Sequence, residues 1–180
     1  MVNRLKPGPF RSANHKTCKM SVDGIDCPVY EVDSYPINRR WYSHKFKSAG
    51  TRYEVGVCIQ TGDICWINGP FMCGRWPDIN IFRVGLKRLL APNEMVVADK
   101  GYRGDRSCHT PAHLVSWTDR RATNKALARH ETVNKRLKQF KCLKEQFRHP
   151  LAKHKDCFYA AAVCTQVMFN RGEKPYKITY

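Results

Sequence analysis

The chain has 180 residues, 42% of them hydrophobic and 26% charged, so it is long enough to bury a core and too apolar for a largely disordered chain. Lys and Arg total 32 against 15 Asp and Glu, a net charge of +17, and a surplus of that size attracts polyanions, nucleic acid first among them. The longest nearly apolar stretch, Phe158 to Phe169, is too short for a membrane span and the basic start lacks the apolar block of a secretory signal, so neither a membrane nor a secreted protein is expected.

Residues 1–19 are basic and interrupted by Pro7-Gly8-Pro9, which predicts an irregular arm or a truncated remnant. Met20 to Val32 predicts a first strand around Gly24 and Pro28, and Tyr53 to Ile59 (YEVGVCI) a second. The turn Thr61-Gly62-Asp63 leads to a third strand over Ile64 to Asn68, completing a hairpin that Gly69-Pro70 is expected to end. From Asp78 to Leu90, Ile79, Phe82, Leu86, Leu89 and Leu90 recur at helical spacing, with Asp78 placed as N-cap and Pro92 as terminator. Met95 to Ala98 is short and wholly apolar, as a central strand buried on both faces would be. His113 to Trp117 reads as a further short strand.

Ala122 to Phe147 predicts a long helix whose stripe of Val133, Leu137, Phe140 and Phe147 is interrupted by Lys144. Asp156 to Asn170 is apolar nearly all round, which predicts a buried helix stopped by Gly172. The pattern is that of one α/β domain over 20–172, its mixed sheet beginning antiparallel, followed by a tail over 173–180.

Nine cysteines are an odd number without a CxxC pair, which argues against a disulfide framework and for a reduced, intracellular compartment. Cys58, Cys65, Cys157 and Cys164 read as small buried hydrophobes. A zinc site from His149, His154 and Cys157 would lack a fourth ligand and the usual spacing.

The positive charge is uneven. Arg120 to Lys155 holds twelve Lys or Arg against Glu131 and Glu145, a net of +10. Carboxylates are scarce, so their places are informative. Asp23 lies in the first strand, Asp99 at the end of the buried strand where open α/β sheets place ligands, and Glu131 near the start of the basic helix. Carboxylates converging in a basic protein repel one another unless a cation lies between them, and hard oxygen ligands select Mg²⁺ or Mn²⁺. Two such ions can clamp the attacking and leaving oxygens of a phosphodiester, which predicts nuclease chemistry on DNA.

The motifs SVDGIDCPVYE, WYSHKFKSAGTRYEVGV, TGDICWINGPF, WPDINIF, VVADKGYRGD and ARHETVNKRLKQFKCL, in that order, resemble the DDE superfamily endonuclease domain of PIF/Harbinger-like transposases over about Val22 to Asn170. The resemblance implies an RNase H-like fold, a mixed β-sheet with flanking helices. It also implies catalytic, metal-binding carboxylates at Asp23, Asp99 and Glu131, two divalent ions, and Asp78 as a further metal ligand. Ile25 stands where the family's first motif commonly has threonine. Members carry a helical DNA-binding region ahead of the first aspartate, and only 22 residues precede Asp23, so a catalytic domain alone, a truncated copy or a partial gene model is expected.

Each candidate has a plainer reading. Asp26 could replace Asp23 as ligand, and Asp78 could simply cap its helix. On a helical wheel Glu131 falls opposite Val133, Leu137 and Phe140, with Lys135 one turn on as an ion-pair partner. Lys45, Lys47, Lys135 and Lys138 are candidate DNA contacts or ordinary solvated surface. Trp41, Tyr42 and Trp76 are candidates for stacking on bases or for core packing. The expected function is a divalent-metal-dependent endonuclease or transposase catalytic domain acting on DNA. The alternatives are an inactive, domesticated DNA-binding or partner-binding protein, and a nuclease of this fold that processes nucleic acid without transposing. A homodimer or a separate DNA-binding protein are the expected partners, and the nucleus the expected location in a eukaryote.

Overall fold

Two residues of the basic arm enter the sheet: β1 (Phe10–Arg11) pairs antiparallel with the start of β2 (Thr17–Pro28). The structure, a computed structural model, describes residues 10–11, 17–30, 38–111, 117–173 and 175. β3 (Tyr42–Ser43) turns into β4 (Ser48–Cys58), which lies antiparallel to β2 with Met20 opposite Cys58 and Pro28 opposite Gly50. Gly62, at φ 77°, makes the turn into β5 (Ile64–Met72), which folds back on β4. The expected break at Gly69-Pro70 does not occur. That peptide is cis, and the strand continues so that Phe71 and Met72 pair with Arg52 and Thr51.

α1 (Asp78–Val84) ends at Gly85, and a 3₁₀ turn over Leu86–Leu89 replaces the rest of the expected helix, burying Leu86 while Leu89 stays exposed. β6 (Glu94–Ala98) lies parallel to β2 and is buried throughout, as its apolar run predicts. β7 (Cys108–His109) adds parallel to β6. The strand expected over His113 to Trp117 falls mostly outside the described residues, and Trp117 opens α2 (Trp117–Leu137). The mixed sheet follows the order β3-β4-β2-β6-β7, with β5 on β4 and β1 on β2. An antiparallel half joined to a parallel half is an α/β sheet with its centre at β2.

Apolar side chains leave both faces of this sheet, so both are covered. On one face Ile25, Tyr53, Val55 and Val57 meet Val133, Leu137, Leu143, Phe158 and Phe169 from α2, α3 (Lys141–Lys144) and α4 (Leu151–Asn170). On the other, Met20, Val22, Val96 and Ala98 meet Phe82, Leu86 and Tyr102. α2 stops at Leu137, ten residues short of the expected end, because Phe147 is needed elsewhere. It extends the end of β2, donating its N–H to Pro28 and accepting from Tyr30. α4 is buried on one face only and exposes Tyr159, Val163 and Val167, a correction to the all-round burial expected of it. All nine cysteines are free thiols, but Cys157 is only half-buried and Cys164 exposed, against their reading as core. No described helix is long and apolar enough to cross a membrane.

Candidate active site

The parallel pairing of β2 with β6 sets Val22 opposite Ala98, so Asp23, still in β2 opposite Val55, and Asp99, just past the end of β6, follow at neighbouring positions. Side chains alternate across a strand. Met20 and Val22 turn toward Phe82, whereas Ser21 and Asp23 turn toward α2 and bond to it. Each aspartate is oriented by a nearby glycine amide: Asp23 Oδ1 accepts from Gly24 N–H at 2.8 Å, and Asp99 Oδ1 from Gly101 N–H at 2.7 Å, capping a 3₁₀ turn over Lys100–Tyr102.

Asp78 reaches the same place from the other face of the sheet. It is the first residue of α1, behind Pro77, and no side chain caps that helix, so the capping expected of Asp78 is absent. Its Oδ1 lies 3.3 Å from Arg52 Nη1. A Cβ on Gly24 would run into Asp78 Oδ1, and one on Gly101 would stand 3.1 Å from both Asp78 Oδ2 and Asp99 Oδ1. The three aspartates therefore meet around two glycines, of which Gly24 leaves no room for a methyl group and Gly101 would hold one only tightly. Asp26, the alternative to Asp23, is fully engaged: Arg52 donates to it through Nε at 2.6 Å and Nη2 at 3.0 Å, and Ser43 Oγ at 2.8 Å. Its task is to hold Arg52.

The charges sort these carboxyls. Burial pushes Asp23 up to about 7; Lys45 and the Gly24 N–H pull it down, and Asp99 and Asp78 push it further up. Burial also raises Asp78, outweighing Arg52 and Lys45. Burial opposes ionisation of Asp26 too, but Arg52 and Ser43 outweigh it and hold that carboxyl below its ordinary range. Behind them Glu54, buried on β4 and accepting from Trp66 Nε1 at 2.9 Å, is raised to about 7, first by burial and also by Asp78.

A groove of about 810 Å³ opens in front of Asp23, with Lys45, Glu131, Asn134, Lys135, Lys138, Lys141 and Lys144 in its wall. Glu131 stands at the rim, its side chain 58% exposed and 4.0 Å from Lys135. It shares the groove with Asp23, while Asp99 does not line it. Lys45 Nζ donates to Gly24 O at 3.2 Å, and Lys138 lies 4.9 Å from the Phe46 ring. Lys47, in a left-handed turn at φ 56°, is exposed and does not line the groove. The aromatic residues take their plainer reading: Trp41 packs against Val29, Ala49 and Phe147, Tyr42 on His44, and Trp76 on Phe71. His154 bonds to the Tyr53 hydroxyl at 2.8 Å, which uses it in the core.

Asn134 and Arg52 are the site residues missed from sequence. Asn134 donates to Asp23 Oδ2 at 2.9 Å, and its spacing of three from Glu131, on one helical face, is the signal that could have found it.

Among the described residues no three acidic, His or Cys side chains close around a point where an ion could sit. Mg²⁺ is usually held by one or two carboxylates, with waters and substrate phosphate oxygens completing its shell. Asp23 and Asp99 fit that manner of binding. They are all-oxygen donors and adjacent, and Asp99 raises the cost of ionising Asp23, which a cation would reverse. No curated protein matches the chain. The profile of a family described as DDE superfamily endonuclease matches residues 22–166, a span that contains Asp23, Asp78, Asp99 and Glu131, and the chain belongs to that family.

Proposed function

We propose that this domain is a divalent-cation-dependent DNA endonuclease of transposase type, related to the PIF/Harbinger-like group. The observation that carries this reading is that Asp23, which lines a lysine-rich groove, has Asp99 as its neighbour across the β2–β6 pairing. Lysines attract the phosphate backbone without reading sequence, and Lys45, Lys135 and Lys138 stand where a strand passing Asp23 would meet them. Asp23 and Asp99 would hold the ion, with Glu131 at the rim of the groove and Asp78 beside Arg52 as the further ligands that substrate binding would draw in. A bound Mg²⁺ or Mn²⁺ would lower the cost of deprotonating water and of charge on the leaving 3′ oxygen. The protein's part is to hold the phosphodiester in line for attack, keep Asp23 oriented, and shield the backbone charge. Hydrolysis frees a 3′ hydroxyl, which the same groove can present to a second DNA for transfer.

Nicking of supercoiled plasmid, with Mg²⁺ and with EDTA, tests this. The parent is expected to nick only with the ion. Asp99→Ala should abolish nicking while DNA affinity in EDTA stays equal or rises slightly, because a carboxylate repels phosphate when no cation intervenes. Equal nicking by parent and variant would remove Asp99 from the site. Binding without nicking by either would favour an inactive DNA-binding protein built on the same groove.

A further inference from the structure

Asn134 is 7% exposed and points its amide at a carboxylate. With Gly24 N–H on Oδ1 and Asn134 Nδ2 on Oδ2, both oxygens of Asp23 are pinned and rotation of the carboxylate is stopped. Each oxygen keeps a second lone pair for another partner. We propose that Asn134 is a positioning residue, holding Asp23 in the orientation in which it meets a divalent cation; this rests on the nuclease reading above.

Three observations separate this from a merely satisfied polar group. First, Asn134 follows Val133 on a helix whose Val133 and Leu137 are fully buried, and it turns its amide toward the groove and Asp23. The amide keeps its Oδ1 buried and without a hydrogen bond, a penalty of about 1–3 kcal/mol that core packing alone would not select. Second, the donor is neutral. Lys45, at the same end of the groove, could orient Asp23 too, but its charge would compete with the cation, and an amide orients without competing. Third, α2 cannot turn Asn134 away. His130 Nδ1 lies 2.8 Å from Ser21 Oγ, and Arg129 Nη1 donates to Ile59 O at 2.9 Å, so the helix is fastened one turn earlier.

The test is Mn²⁺ binding by the full 180-residue chain, measured by calorimetry, with thermal melts in EDTA to show that each variant is folded. Asn134→Ala removes the amide and some volume, and Asn134→Leu removes the amide while keeping the branched shape of the side chain. Both are expected to weaken Mn²⁺ binding by roughly 10–100-fold, the usual effect of losing a partner that orients a ligand. Parent-like affinity in Asn134→Leu, or in both, would overturn the proposal, and a cooperative melt in either variant is enough to decide. Asp99→Ala is measured alongside. A parent that binds Mn²⁺ and loses it in Asp99→Ala shows that the ion occupies this site, so unchanged Asn134 variants then sink this inference alone. A parent that binds no Mn²⁺ overturns the nuclease reading and this inference with it.

Discussion

Asp23 carries an electrostatic debt that pH should expose. Its carboxyl is raised from 3.8 to about 7 in the folded protein, so the native state holds the proton more tightly than the unfolded chain does. The contribution to stability is therefore fully present below about pH 4 and is lost as pH rises to about 7. Asn cannot ionise, so Asp23→Asn should match the parent below about pH 4 in EDTA and exceed it at pH 8 by up to about 4 kcal/mol. Added Mn²⁺ should close that gap at pH 8 by stabilising the parent. A variant no more stable than the parent at pH 8 would mean that Asp23 ionises without penalty. Asp26, three residues on, shows how local the effect is: it lies in the same strand and is buried, but Arg52 and Ser43 reverse the direction.

α2 is fastened to β2 by two polar rungs, His130 on Ser21 and Asn134 on Asp23. Four residues of helix advance about 6 Å and two of strand about 6.6 Å, so the rungs keep step. His130 is fully buried and burial pulls its pKa down to about 3, so it stays neutral and needs its partner as a neutral ring. Ser21→Ala should lower stability by about 1–3 kcal/mol, seen as a lower urea midpoint with an unchanged m-value. An unchanged midpoint would mean that the rung is replaced by water. What could be read beforehand follows the same division. Met95 to Ala98 and the carboxylate at its end were legible because an apolar run of that length fits a strand buried on both faces. The end of α2 was not, because its apolar periodicity continues to Phe147 while pairing with β2 draws that residue out of the helix. The partnership of Asn134 with Asp23 depends on the register of α2 across β2, which neither segment reveals alone. Nor could sequence show that Arg52 would occupy both Asp26 and Asp78.

For the molecule as a whole, the +17 charge is useful only where it faces a ligand, and the groove is where lysines gather around the site. Each neutralised phosphate adds about −0.9 to the slope of log K against log salt on duplex DNA. Replacing Lys135 and Lys138 together with Ala should therefore make that slope shallower by up to about two units, measured in EDTA. The same double change at Lys47 and Lys87, which do not line the groove, should alter it less, and equal effects would place the DNA elsewhere. The β2–β6 pairing has one more implication, for the order in which the chain acquires its properties. Hairpin strands β4 and β5 are close in sequence, whereas Asp23 gains its neighbour only after the chain has passed through α1 and laid β6 alongside. A chain part-way through synthesis thus holds Asp23 without its acidic neighbour, and the two come together only once β6 has been laid beside β2.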